Sequence, residues 1–112
     1  MKRISSKQSS INRKLHQTYQ KIDSEREPIC EGCGSNKNLS HSHLISQADC
    51  KGYGLTELIW DEENIRLHCM NGCHEKWESR NLTIIKTMLD CEKNLEYVKS
   101  KCPVLFNKIR VR

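Results

Sequence analysis

The sequence predicts a small α+β fold that is stapled by a metal bound to four cysteines. The chain has 112 residues, which suits a single domain, and its 36% hydrophobic and 5% aromatic content leaves a modest core that a bound metal would reinforce. Two close cysteine pairs enclose two short extended segments, and a helical pattern begins at the last cysteine. The four cysteines are Cys30, Cys33, Cys69 and Cys73.

A helix is predicted over residues about 5–25, because apolar residues recur there every three or four positions and so share one face. Pro28 ends this segment. The apolar positions are Ile11, Leu15, Tyr19 and Ile22.

Two strands are predicted at residues 39–45 and 65–67, with a longer loop at 47–60 between them. The first strand alternates in polarity, which would place His41 and His43 on one face and Ser42 on the other. A helix is expected to start at Cys73.

The C-terminal third predicts one long helix over residues 81–102, which Pro103 stops. The positions that follow the helical period are Leu82, Ile85, Leu89, Leu95, Val98 and Cys102.

Charge divides the chain into three parts. Residues 1–29 carry seven basic and three acidic side chains. Residues 30–78 carry four basic and eight acidic ones, and residues 79–112 carry eight basic and three acidic ones. Basic flanks around an acidic, cysteine-bearing centre suit a polyanionic partner such as nucleic acid, and on charge alone they are equally typical of ordinary solvated helix faces. We therefore expect a basic N-terminal helical arm at 1–29, a metal-stapled core at 30–79 and a basic C-terminal helix and tail at 80–112.

The cysteine spacing predicts a structural zinc site. Four thiolates suit tetrahedral zinc, and Gly32 and Gly34 permit the left-handed backbone that a cysteine turn needs. The second pair has one residue more than the usual spacing, which Asn71 and Gly72 can absorb. The 35 residues between the pairs are enough for a two-stranded unit.

Other interpretations of the cysteines remain open. His68 could replace a cysteine as ligand, His74 could replace Cys73, or the thiols could be buried or redox-active. Seven cysteines are an odd number, and the N-terminus MKRISSKQSS has no apolar stretch, so metal in a reducing compartment is favoured over disulfides. Cys50, Cys91 and Cys102 lack ligand spacing and are expected to act as small hydrophobes.

Polar residues recur within the cysteine-bearing segment in an order that resembles the HNH endonuclease family. The matching stretches are Cys30-Glu-Gly-Cys33, LSHSHLIS at 39–46, EENIRLHC at 62–69 and CHEKWES at 73–79. The resemblance covers residues 30–79, under half of the chain, and is greatest to the zinc-stapled branch found in phages and mobile elements. It implies a ββα-metal core, in which a β-hairpin and a helix hold a catalytic metal.

The resemblance also implies roles for individual residues. His43 would be the general base, His74 would bind a catalytic Mg²⁺ or Mn²⁺ ion, and Asn64 would hold the loop that orients the base. The family usually has a metal ligand directly before the base, where this chain has Ser42, a poor ligand. His41 is the substitute ligand that we expect, although His41 and His43 could exchange roles.

The function implied is metal-dependent hydrolysis of DNA phosphodiester bonds, in phage DNA processing, recombination or repair. The basic flanks would contact backbone phosphates, and Arg66 could do the same or lie on the surface. The alternatives are a zinc-stabilised DNA-binding module without catalysis and a zinc domain that binds proteins. We expect a cytoplasmic protein of a bacterial or phage-infected cell, not secreted and without a membrane segment, as a monomer or homodimer.

Overall fold

A two-stranded antiparallel hairpin forms the centre of the structure, a computed structural model that describes residues 6–111. Strand β1 spans Leu39–His43 and strand β2 spans Ile65–Cys69. Their register sets His43 opposite Ile65, at the end of the hairpin that leads into the long connection. The expectation that the chain has no secretory leader concerns the N-terminus, of which residues 1–5 lie outside the described part.

Helix α1 spans Ser6–Glu25 and packs against the hairpin and its connection. The apolar face predicted from the sequence is confirmed: Ile11, Leu15 and Ile22 are buried, and Tyr19 packs partly buried against the same core.

The connection between the strands contains more regular structure than the predicted loop. Helix α2 spans Gln47–Gly52, and 3₁₀ turns follow at Thr56–Trp60 and Glu62–Asn64. The prediction of a plain loop at 47–60 was wrong, because Ser46 caps α2 by accepting a hydrogen bond from the Asp49 N–H at 3.1 Å.

The prediction of a single C-terminal helix over 81–102 was also wrong. After α3 (Cys73–Glu78), the chain forms α4 (Leu82–Ile85), α5 (Cys91–Lys101) and α6 (Pro103–Phe106). The break falls at Leu89, whose side chain is 78% exposed and whose N–H donates to the Gly32 carbonyl at 2.8 Å. That bond ties the segment between α4 and α5 to the first cysteine turn.

All three segments of the sequence contribute to one hydrophobic core, from Ile11 in α1 through Trp77 in α3 to Ile109 near the C-terminus. Within residues 6–111, no helix is both long and apolar enough to span a bilayer.

Polar groups join the hairpin to α5. Arg66 is 1% exposed and donates from Nε to Asn94 Oδ1 at 2.8 Å, so the surface position considered for it is wrong and its side chain is buried away from any phosphate. His68 Nε2 lies 2.9 Å from Asp90 Oδ2, and both side chains are buried. These pairs fix α5 against β2.

Candidate functional site

The four cysteines of the two pairs come together at one end of the hairpin. Their Sγ atoms all lie within 4.8 Å of one another, and Cys33 Sγ is 3.7 Å from Cys69 Sγ. In residues 6–111, this is the one cluster of three or more His, Cys, Asp or Glu side chains close enough to share an ion. The site can therefore bind a structural metal through four thiolates, without His68 or His74.

Backbone N–H groups stabilise charge on these sulfurs. Cys30 Sγ accepts from the N–H groups of Gly32 and Cys69, each at 3.3 Å, and Cys69 Sγ accepts from the Cys73 N–H at 3.4 Å. Such bonds favour thiolates, the form that binds metal.

The cysteine turns depend on small residues for two different reasons. Gly34 and Asn71 have positive φ angles of 80° and 61°, as the expected left-handed turns require. The expectation that Gly32 is left-handed was wrong. A Cβ on Gly32 would lie 2.7 Å from Cys73 Sγ, and one on Gly72 would lie 2.7 Å from Cys69 Sγ, so both glycines are needed for close approach to sulfur.

The sulfurs of the cluster differ in how their surroundings shift their pKa values. Burial alone would raise the pKa of Cys30, but the N–H groups of Cys69 and Gly32 outweigh it and lower the pKa. Burial, followed by the neighbouring sulfurs of Cys30 and Cys33, raises the pKa of Cys73. Four thiolates this close repel one another unless a metal ion lies between them.

His43 lies at the end of β1, half-buried, with Nε2 2.9 Å from the Ile59 carbonyl oxygen. Because a carbonyl only accepts, Nε2 carries the hydrogen and Nδ1 keeps its lone pair. Burial lowers the pKa of His43 below its ordinary value of 6.5, the Ile59 carbonyl opposes this, and electrostatic interaction with His41 and His74 lowers it further. His43 is therefore a neutral imidazole within electrostatic range of His74.

Asn64 is fully buried and fixes the chain directly after His43. Its Nδ2 donates to the carbonyls of Ile45 at 3.0 Å and Leu58 at 2.9 Å, and its Oδ1 accepts from the Ile45 N–H at 2.8 Å. The Leu44 N–H donates to the Asn64 carbonyl at 2.8 Å. The amide thus joins the segment after β1 to the 3₁₀ turn that carries Ile59.

His41 faces α1. Its ring stacks on Tyr19 with centroids 4.0 Å apart, and its Nε2 lies 2.8 Å from Asp23 Oδ1. His74 instead contacts Ser40 and Glu78. The structure therefore does not bring His41 and His74 together as the ligand pair that the sequence suggested.

His74 lies in the first turn of α3 between two polar partners. Its Nδ1 is 2.8 Å from Ser40 Oγ, and its Nε2 is 2.8 Å from Glu78 Oε1. Ser42, in the position where the resemblance places a ligand, is fully buried, and its Oγ has no hydrogen-bond partner within residues 6–111.

Sequence reasoning missed two of these contacts. The Glu78 side chain is 64% exposed, as expected of a solvated helix face, yet its carboxylate contacts His74. The spacing of four residues within one helix is a signal that could have identified this pair. Ser40 carried no comparable signal, because its contact with α3 forms only in the folded chain.

Comparison with known protein families, curated proteins and solved structures finds no match to this chain.

Proposed function

We propose that the four-cysteine cluster binds a structural zinc ion. The support is the donor set: four sulfurs from two turns, with backbone N–H groups aimed at the sulfurs, suit a closed tetrahedral zinc site. Elemental analysis of the purified protein should find about one zinc per chain. Cys33→Ser should lose most of it, whereas Cys91→Ser, outside the cluster, should keep it. No zinc in the wild type would remove this proposal.

We further infer that the chain is a metal-dependent DNA endonuclease of the HNH type. The observation that carries this inference is the state of His43: neutral, held by the Ile59 carbonyl through Nε2, with the Nδ1 lone pair left to accept a proton. A general base for phosphodiester hydrolysis needs that state at neutral pH.

The residues divide the chemistry between them. His43 Nδ1 accepts the proton of the attacking water as the new phosphorus–oxygen bond forms. Asn64 holds the backbone that follows His43, and the Ile59 carbonyl holds the His43 ring in one orientation. His74 would hold a divalent cation, Mg²⁺ or Mn²⁺, which when bound stabilises negative charge on the phosphate and on the departing 3′ oxygen.

DNA is the proposed substrate because the chain has a net charge of +5 and its basic residues concentrate outside the cysteine-bearing segment. Exposed side chains that are available to phosphates include Arg13, Lys86 and Lys101. Lys21 contributes less, because it pairs with Glu62 at 3.1 Å.

A matched pair of histidine variants tests the proposed base. Supercoiled plasmid is incubated with Mg²⁺ or Mn²⁺ and wild-type protein, His43→Ala or His16→Ala, which replaces an exposed histidine of α1. We expect His43→Ala to lose about 10²–10⁴-fold of the nicking rate, the usual contribution of a general base, and His16→Ala to keep it. Equal nicking by both variants would exclude His43 as the base.

A further inference from the structure

A small cleft lies between the end of α1 and the hairpin, on the side of β1 that carries His41. Its volume is about 240 Å³. Clefts that hold drug-sized ligands have about 300–1,000 Å³, so this one suits a smaller group such as a single planar ring system. The residues that line it include Asp23, Pro28, Leu39, Ser40, His41 and Leu67.

The walls of the cleft suit a flat apolar group. Leu39 and Leu67 supply aliphatic surface, and Leu67 lies opposite His41 in the register of the hairpin. The His41 ring is held from two sides: Tyr19 stacks on it with centroids 4.0 Å apart, and Asp23 Oδ1 lies 2.8 Å from its Nε2. An unpaired nucleobase has the flat faces that such fixed walls can cover.

The hydrogen-bond donors at the cleft are directed at acceptors of the protein itself. Arg26, which also lines the cleft, donates to the Glu31 carboxylate at 3.1 Å and to two backbone carbonyls. Ser40 Oγ donates to a backbone carbonyl at 2.9 Å, and the Nε2 hydrogen of His41 points at Asp23. Among residues 6–111, Asp23 Oδ2 has no hydrogen-bond or ion-pair partner. The cleft therefore presents a carboxylate acceptor to its occupant.

A carboxylate acceptor selects a base whose edge donates. The Watson–Crick edge of guanine has two neighbouring donors, N1–H and the N2 amino group, whereas that of thymine has one donor between two acceptors. The two oxygens of a carboxylate can accept both guanine donors together. Because base pairing uses the same edge, the base must be unpaired to bind in this way.

We propose that this cleft binds an unpaired guanine base of the DNA strand, with Asp23 accepting from its Watson–Crick edge and His41 forming one wall. His41 lies two residues before His43 on the same face of β1, about 6–7 Å along the strand, so the base would belong to a nucleotide beside the scissile phosphate. That position rests on the proposed nuclease function, whereas the binding of the base rests on the contacts of the cleft.

Binding of short single strands to the zinc-loaded protein, followed by fluorescence anisotropy, tests the cleft without cleavage. Mg²⁺ and Mn²⁺ are left out so that the DNA stays intact. The strands are thymidine runs with guanine, hypoxanthine or thymine at the centre, and hypoxanthine lacks only the N2 amino group of guanine. We expect the guanine strand to bind at least about fivefold tighter than the all-thymine strand, the lower end for a bidentate contact to a base, with hypoxanthine between them.

Asp23→Asn should abolish this preference. The carbonyl oxygen of asparagine can keep the bond from His41, which leaves its NH₂ group facing the donors of the base. Glu25→Gln, which removes the same charge at an exposed position of α1, should keep the preference. In methyl NMR spectra, the guanine strand should shift the signals of Leu39 and Leu67 in the wild type.

Two results would overturn the proposal: equal affinity of the wild type for the guanine and all-thymine strands, or a preference that survives in Asp23→Asn. A preference that depends on Asp23, in a protein that cleaves no DNA, would support the cleft and reject the nuclease. Cleavage without any preference would support the nuclease and reject the cleft.

Discussion

The Asn64 side chain bonds both backbone groups of Ile45, accepting from its N–H at 2.8 Å and donating to its carbonyl at 3.0 Å. The Asn64 amide thus forms the two backbone hydrogen bonds that a neighbouring strand would form with Ile45, which lies two residues beyond the end of β1. Because His43 lies directly before this clamp, its backbone cannot shift without breaking buried hydrogen bonds. Neither hydrogen bond involves solvent, since Asn64 and Ile45 are both fully buried.

Asn64→Asp should destabilise the fold and slow cleavage together. Aspartate can still accept from the Ile45 N–H, but it cannot donate to the carbonyls of Ile45 and Leu58 and sets a charge against them. An unsatisfied buried group costs about 1–3 kcal/mol, so the free energy of unfolding in urea should fall by at least about 2 kcal/mol. Asn107→Asp, at an exposed position, is the control. Equal stability of the two variants would contradict the clamp.

Gly32→Ala should weaken the metal site although it removes no ligand. The new Cβ would lie 2.7 Å from Cys73 Sγ and 2.9 Å from Cys73 Cβ, so the first cysteine turn must move. Overpacking of this kind costs about 1–3 kcal/mol. Competition with a chelator should show faster zinc loss than in Gly52→Ala, where a Cβ meets nothing within 4 Å. Identical zinc retention would show that the turn tolerates the methyl group.

The pH dependence of cleavage should reflect the lowered pKa of His43. Burial destabilises the imidazolium, so the neutral base persists to pH values below the ordinary 6.5. With saturating Mn²⁺, kcat/KM should fall on the acid side with a midpoint below 6.5. Zinc content is measured at each pH so that metal loss is not mistaken for titration. A midpoint at or above 6.5 would contradict the assignment.

Asp90 should stabilise the fold through its charged form. Burial raises the pKa of its carboxyl, but the hydrogen bond from His68 and the nearby polar side chain of Asn94 outweigh burial, and the pKa falls below its ordinary value of 3.8. The contribution is therefore complete above pH 3.8 and is lost as the pH falls through the lower folded value.

Asp90→Asn should lower the free energy of unfolding at pH 7 by about 1.5–3 kcal/mol, the usual contribution of a hydrogen bond to a charged group. The deficit relative to wild type should stay constant between pH 7 and pH 5. Glu92→Gln, exposed in α5, serves as the control. A deficit that shrinks between pH 7 and pH 5 would show that a group other than Asp90 titrates.

The sequence predicted what depends on local pattern. The period of α1 identified its buried face, and the spacing within each cysteine pair identified the ligands of the cluster, because both patterns are set by residues close in the chain. The sequence could not predict the break at Leu89 between α4 and α5, since the apolar period continues through that residue. The Leu89 N–H instead bonds to Gly32, far away in sequence.

At the candidate site, too, the sequence predicted the local features and missed the contacts between distant segments. Alternation correctly separated Ser42 from His41 and His43, but it could not show that α1 covers His41 or that His74 contacts Ser40. Those contacts depend on how α1 and α3 pack against β1. The sequence could not predict the burial of Arg66 either, because an arginine between apolar neighbours does not indicate a buried partner such as Asn94.

Nicking of supercoiled plasmid by zinc-loaded wild-type protein, with and without added Mn²⁺ or Mg²⁺, tests the proposed nuclease activity directly. We expect conversion to nicked or linear DNA only when Mn²⁺ or Mg²⁺ is present, with a rate that falls as salt rises because phosphate contacts weaken. A protein that holds its zinc and binds the plasmid, yet leaves it intact with both ions, would contradict the nuclease and identify a zinc-stabilised DNA-binding module.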